Sequence, residues 1–238
     1  MSEQTVSALS EAERGHIEAL VRACHGDPFA YLGPHANPNG EGFIVRAFMP
    51  GAISIEMLDA LSGKSLGIMS QDLVPGLFVH TMPERKAYRY RILWAHGCCE
   101  TEDPYAFGPL LGDMDLYLFG EGNHREMGRV FGAQLTTHEG VAGVRFAVWA
   151  PNARRVSVVG NFNSWDGRRH SMRVRYPAGV WEIFIPHLNA GEVYKFEILD
   201  CNSAITLKAD PMALATESPP ATGSVVSAPL EFQWHDQQ

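Results

Sequence analysis

The stretch VRFAVWAPNARRVSVVGNFNSWDG, residues 144–167, decides the fold. It opens with strict alternation, Val144, Phe146 and Val148 on one side against Arg145, Ala147 and Trp149 on the other. A period of two predicts a half-buried β-strand. Pro151-Asn152-Ala153 ends it, because a proline cannot donate to a central ladder. A second strand runs through Val156 and Val158, and a loop follows from Asn161 to Gly167. Asp166-Gly167 is a turn signal and sets Trp165 beside a turn, not inside a strand. An indole there is either covered by the loop folding back or presented to something flat and apolar.

Outward from this stretch the chain repeats itself. FIVRAFMPGAISIEML (residues 43–58) lies over VRFAVWAPNARRVSVV (144–159), with Pro50 matching Pro151. Gly76-Leu77-Phe78 lies over Gly179-Val180-Trp181, Tyr88-Arg89-Tyr90-Arg91-Ile92 over Tyr194-Lys195-Phe196-Glu197-Ile198, and Asp103-Pro104 over Asp210-Pro211. The matches are colinear, and their offset drifts from 101 residues (43 to 144) to 107 (103 to 210), as loop insertions would cause. Short alternating strands with Gly and Pro punctuation predict an all-β fold of two tandem immunoglobulin-like β-sandwiches. Ser10-x-x-Glu13 is a capping box, and Ile17, Leu20, Val21 and Cys24 follow at helical spacing, so a short N-terminal helix is expected from about Glu11 to Cys24. The expected division is a helical segment 1–24, a first sandwich 25–120, a connector 121–139, a second sandwich 140–228 and a tail 229–238. Gly120, Gly122, Gly128 and Gly132 argue against a long regular element in the connector.

The repeat separates scaffold from candidate function. Both copies carry the apolar alternation and the Tyr-x-aromatic-x-Ile strand, but only the second carries the FNSWDG loop. Its counterpart after Leu58 is Asp59-Ala60-Leu61-Ser62-Gly63-Lys64, which has no aromatic.

Composition narrows the classes. The 238 residues are 45% hydrophobic and 19% charged, an ordinary globular mix. Lys and Arg number 19 against 27 Asp and Glu, a net charge of −8, which argues against a nucleic-acid partner. Arg173 and Arg175 alternate with Met172 and Val174 and are expected on a solvated strand face. No apolar h-region opens the chain and no apolar run approaches the roughly 20 residues that span a membrane, so a cytoplasmic protein with no membrane partner is expected. Cys24, Cys98, Cys99 and Cys201 show no framework spacing and are expected as reduced thiols. His96, Cys98 and Cys99 lack a second ligand pair at zinc-finger spacing, so no metal and no cofactor is expected. Trp181 lies in phase with Ile183 and Ile185 and is expected in the core, as are Trp149 and Trp94; Trp234, after Pro229, has no evident core to join.

These residues also carry a resemblance. FAVWAPNARRVSVVGNFNSWDG, with Gly179-Val180-Trp181-Glu182 and Tyr194-Lys195-Phe196-Glu197-Ile198, resembles carbohydrate-binding module family 48 in the form found in bacterial glycogen branching enzymes. His25-Gly26-Asp27-Pro28-Phe29, Glu102-Asp103-Pro104-Tyr105 and Leu116 to Gly122 agree with it, so the likeness covers about 25–226. It implies a non-catalytic region that binds α-1,4-glucan or glycogen and packs on a catalytic barrel. The implied parent reaction cuts an α-1,4-glucan and re-attaches the piece by an α-1,6 bond. The resemblance carries glucan contact to Trp165 and Lys195. Asn163 and Asp166, flanking the indole on the same loop, are further candidates for sugar hydroxyls. A second stacking tryptophan of such modules is missing, since the run before Asp210 is Ile205-Thr206-Leu207-Lys208-Ala209. The barrel's Asp-x-x-x-Asn-His is absent too: before Asn123-His124, Phe119 stands where the aspartate belongs. A (β/α)₈ barrel takes about 250 residues and βα alternation, neither of which is present. No catalytic residues are therefore assigned, and the chain is expected to be a fragment that is inactive alone. Two rival readings remain, a free-standing glucan-targeting subunit and a spacer without sugar affinity.

Overall fold

The computed structural model describes residues 10–38, 40–72 and 74–228; Trp234 lies outside them. Helix α1 (Glu11–Val21) starts at the expected capping box: the Ser10 hydroxyl accepts from the Glu13 amide and the Glu13 carboxylate accepts from the Ser10 amide. It stops short of Cys24 because Ala23 turns left-handed, at φ 53°. Ile17 and Leu20 bury against Tyr31, Leu32, Phe48 and Leu77, so the helix covers one outer face of the first sandwich.

That sandwich is built from β1 (Gly33–Ala36), β2 (Phe43–Phe48), β3 (Ser54–Asp59), β4 (Ser65–Ile68), β5 (Ser70–Gln71), β6 (Leu77–Met82), β7 (Tyr88–Trp94) and β8 (Gly97–Thr101). One antiparallel sheet runs β1-β2-β6-β5 and the other β4-β3-β7-β8. Val45, Ala47 and Phe78 from the first meet Ile55, Met57 and Tyr90 from the second in one core. The second sandwich repeats the plan with β9 (Gly132–His138), β10 (Val141–Trp149), β11 (Arg155–Gly160), β12 (Arg173–Arg175), β13 (Val180–Pro186), β14 (Val193–Leu199), β15 (Ile205–Lys208), β16 (Ala215–Thr216) and β17 (Ser224–Val225). Its sheets run β12-β13-β10-β9 and β11-β14-β17-β16, with β15 also on β14. The alternation of residues 144–148 lands in register: Val144 faces Ile185, Phe146 faces Ile183 and Val148 faces Trp181. All six are buried in one core with Val156, Val158, Tyr194 and Phe196.

The repeat extends further than its sequence signal. Strand β9 pairs with β10 as β1 pairs with β2, so part of the expected connector is strand. The shared Tyr and Asp-Pro motifs form one lock in each copy. Tyr88 and Tyr90 both donate to Asp103 at 2.8 Å, and Tyr194 donates to Asp210 at 2.6 Å. Burial raises both carboxyls above the ordinary range, and hydrogen bonds from these phenols and from backbone amides partly oppose it.

The connecting segment before β9 starts earlier than expected, within the stretch assigned to the first sandwich; with α2 (Asp113–Gly120) and α3 (Met127–Val130), it lies on the outer face of the β12-β13-β10-β9 sheet. Leu111, Val130 and Phe131 bury there against Ala147 and Val180. This cover overturns two expectations. Arg173 and Arg175 are not on a solvated face: Arg173 donates to the Phe107 and Gly108 carbonyls, Arg175 to the Leu111 carbonyl and to Glu182. Trp149 is not core; it is 57% exposed and makes a T-shaped ring contact with Phe119, because it points to the outer face beyond the connector's cover. Trp94 is half-buried with the Arg169 guanidinium over its ring, while Trp181 is core as expected.

A polar seam joins the sandwiches. The buried Tyr105 hydroxyl accepts from the Ser171 amide and donates to the Arg169 carbonyl. Arg169 donates to the Pro50 carbonyl at 2.7 Å, and His187 pairs with Glu102.

Candidate functional site

The loop that follows β11 is built by local rules. Gly160 ends the strand where a Cβ would lie 2.5 Å from both the Phe162 ring and the Val193 carbonyl oxygen, so only glycine lets the chain pass. A 3-10 turn over Asn161–Asn163 follows, and Ser164 and Trp165 then both adopt left-handed backbone, at φ 58° and 59°. For an aromatic residue that conformation costs on the order of 1 kcal/mol, and it persists only where surrounding contacts impose it. Those contacts are visible. The Trp165 amide donates to the Gly160 carbonyl, and its indole N–H donates to Asn161 Oδ1, both at 2.9 Å. The indole is thereby held in one plane while remaining 38% exposed. Gly167 then closes the loop onto β14 and β11, with a Cβ position only 2.1 Å from Glu197 Oε1 and 2.8 Å from the Arg155 guanidinium.

The four candidate residues separate here. Lys195 pairs with Val159, one residue before Gly160, so it sits on the sheet face over which the Trp165 loop folds. Its side chain leaves the core, as the alternation requires, and donates to Thr222 Oγ1 at 2.6 Å. Asp166 takes a two-pronged interaction from Arg168. Burial pushes its carboxyl up, but the Arg168 hydrogen bonds outweigh that and hold it below the usual range. Asn163 departs from the expectation of a sugar contact. It is 1% exposed and its amide is spent within the loop: Oδ1 accepts from the Gly160 amide, and Nδ2 donates to the Val158 carbonyl and faces His170 Nδ1. Burial, with Arg169 adding to it, lowers the His170 pKa to about 3, so the ring is a neutral acceptor for that amide.

Reading the sequence alone missed Asn161, which orients the indole; an Asn four residues before a tryptophan at a turn was the available signal. Among the described residues no group of three or more His, Cys, Asp or Glu is placed to hold a metal ion, and all four cysteines are free thiols. No helix among them is long and apolar enough to cross a membrane. At the matching place in the first sandwich, the described residues form a plain turn. This β3–β4 turn is closed by Asp59, which accepts from the Leu61 and Ser62 amides.

Residues 13–105 match the family described as alpha-1,4-glucan branching enzyme GlgB, N-terminal domain, and residues 130–213 match carbohydrate-binding module 48 (isoamylase N-terminal domain). The chain is 62% identical over 222 residues to the 1,4-alpha-glucan branching enzyme GlgB of Pseudomonas fluorescens Pf-5, covering 93% of this chain and 30% of that protein. It is 56% identical over 235 residues to the enzyme of the same name from Pseudomonas aeruginosa PAO1, covering 96% and 32%. To GlgB 2 of Rhizobium johnstonii it is 51% identical over 219 residues, covering 92% and 30%. The chain thus spans about a third of the length of the curated relatives it matches. With one match following the other along the chain, it belongs to the family of 1,4-alpha-glucan branching enzymes GlgB, over the N-terminal region that carries the GlgB N-terminal domain and carbohydrate-binding module 48.

Proposed function

We propose that this chain docks α-1,4-glucan through the Trp165 loop, and that it serves a branching enzyme as a glucan-holding and barrel-packing part without performing bond chemistry. The observation that supports this best is the indole fixed on left-handed backbone, half-exposed, in one repeat and missing from the other. A feature one copy omits is not required by the fold. A glucan offers an apolar ring face and hydroxyl edges; Trp165 supplies the plane, and the Lys195 ammonium with Thr222 and Asp166 supplies polar groups for the hydroxyls. Asn163 acts one step away, by shaping the loop. In the reaction of the whole enzyme, this region would hold the donor chain near the barrel while carboxylates elsewhere cut and re-join it.

Stacking on one aromatic plane contributes on the order of 1 kcal/mol beyond burial, so affinity is weak: about −4 to −6 kcal/mol, high micromolar to millimolar. Maltoheptaose titrated into the chain is followed by tryptophan fluorescence, with thermal unfolding as the control. Trp165→Ala should remove most of the binding and Lys195→Ala a smaller part, both variants staying folded. Undiminished binding by Trp165→Ala would place the site elsewhere, and no binding by the wild type would favour the spacer reading. Incubated with amylose, the chain should form no new α-1,6 linkages; turnover that survives purification would overturn the non-catalytic assignment.

A further inference from the structure

Beside the Trp165 loop, a cleft of about 510 Å³ opens between the two sandwiches. Its floor is apolar, formed by Met49 and Ile92 of the first sandwich and by Phe162, Ile185 and Leu188 of the second. One wall is the β7–β8 turn, Trp94-Ala95-His96, and its rim includes Glu100, Thr101 and Ser164. Ser164 immediately precedes Trp165, so the cleft mouth begins at the ledge that carries the indole; consecutive Cα atoms are about 3.8 Å apart.

Two properties of this cleft define what fits. Its aromatic wall is held by specific contacts. The Arg169 guanidinium lies over the Trp94 ring at 4.5 Å and is itself held by the Pro50 carbonyl, while the Trp94 indole N–H points to Cys99 Sγ. Its carboxylate and imidazole neighbours are paired, Glu100 with Arg91 at 2.8 Å and with Arg89, and His187 with Glu102, while the Arg169 guanidinium in the wall donates to the Pro50 carbonyl. An apolar floor, an aromatic ring and a rim of hydroxyl, imidazole and ion-paired carboxylate groups suit an uncharged, hydroxyl-rich ligand with an apolar face.

We infer that the cleft between the sandwiches is a second glucan subsite, taking the units of the α-1,4-glucan chain that continue past Trp165, so that the first sandwich joins in binding through the Trp94 turn. This inference rests on the docking role proposed for the Trp165 loop. It makes affinity depend on chain length: a short sugar occupies the ledge alone, a longer one ledge and cleft together.

The test uses the full chain. Maltotriose and maltoheptaose are titrated into wild type and into Ala95→Trp, which fills the cleft from an exposed turn, and His96→Ala serves as a milder second variant. Methyl signals of Ile92, Ile185 and Leu188 are followed by NMR in the wild type. Ala95→Trp should weaken maltoheptaose binding about fivefold or more and leave maltotriose within about twofold, with His96→Ala in the same direction and smaller. Maltoheptaose, but not maltotriose, should shift the three methyl signals. If both sugars bind wild type and Ala95→Trp alike and the methyl signals stay put, the cleft is no subsite and the Trp165 reading stands. If wild type binds neither sugar, the docking role falls and this inference falls with it.

Discussion

At Asn163 one side-chain amide serves the Gly160 amide, the Val158 carbonyl and the His170 ring together. Asn163→Ala leaves two buried backbone groups unpaired at roughly 1–3 kcal/mol each, so it should cost about 2 kcal/mol or more in chemical denaturation. A cost near zero would mean that the loop holds itself without this amide. The same contact makes a pH prediction. His170 titrates at about 3 when folded, against roughly 6.5 unfolded, so the unfolded chain binds more protons between those values. Stability therefore falls as pH drops from about 6.5 towards 3. His25, buried beside His16 and lowered to about 4, adds a loss of the same sign. In His170→Gln, the slope of unfolding free energy against pH between about 4.5 and 6 should be shallower by up to about 1.4 kcal/mol per pH unit; an unchanged slope would show that His170 does not carry it. At this scale, strand residues were legible from period two alone: Trp181 went inward and Lys195 outward. Asn163 and Trp149 were not, because a loop has no period and because cover from a distant segment decides which outer-face residues are wet.

The elements divide in the same way. Both copies of the repeat were readable since each strand pairs within its own copy, and the pairs β2–β6, β3–β7, β10–β13 and β11–β14 follow directly from the matched stretches. Strand β9 escaped notice because its apolar side, Ala133 and Leu135, is short and sits among glycines. What holds the connector was not readable at all. Glu182 is wholly buried on β13 and accepts from the Leu110 amide at 3.0 Å, the Leu111 amide at 2.9 Å and Arg175 at 3.1 Å. A carboxylate in the middle of VWEIFIP makes sense only once the connector is laid across it. Glu182→Ala strands two amides and an arginine in a buried place, a loss of about 3–5 kcal/mol by analogy with breaking other buried charge pairs. Limited proteolysis of that variant should cut within 112–128 well before wild type does. Equal cutting rates would mean that the apolar contacts of Leu111, Val130 and Phe131 alone pin the segment.

Across the whole molecule, each sandwich has its own core, yet the seam between them is not a loose linker contact. Phe29 packs against both the helix-side cluster and the core of the second sandwich, and the Arg173 guanidinium lies 3.9 Å over its ring. Tyr105 is buried at the joint, with its hydroxyl between the Ser171 amide and the Arg169 carbonyl. Two domains read from a repeat would be expected to separate once the connector is cut. The seam predicts otherwise: after a nick within 112–128 the two fragments should co-elute in size-exclusion chromatography, and the intact chain should unfold in one calorimetric transition. Tyr105→Phe removes the acceptor for the Ser171 amide and should weaken the joint by about 1–3 kcal/mol. Its expected signature is a single transition resolving into two, or nicked fragments that elute apart, while each fragment keeps its β-sheet circular dichroism. Fragments that separate in the wild type would show that the seam contacts are too weak to couple the cores, and the cleft beside Trp165 would then lose the fixed walls on which a two-sandwich glucan subsite depends.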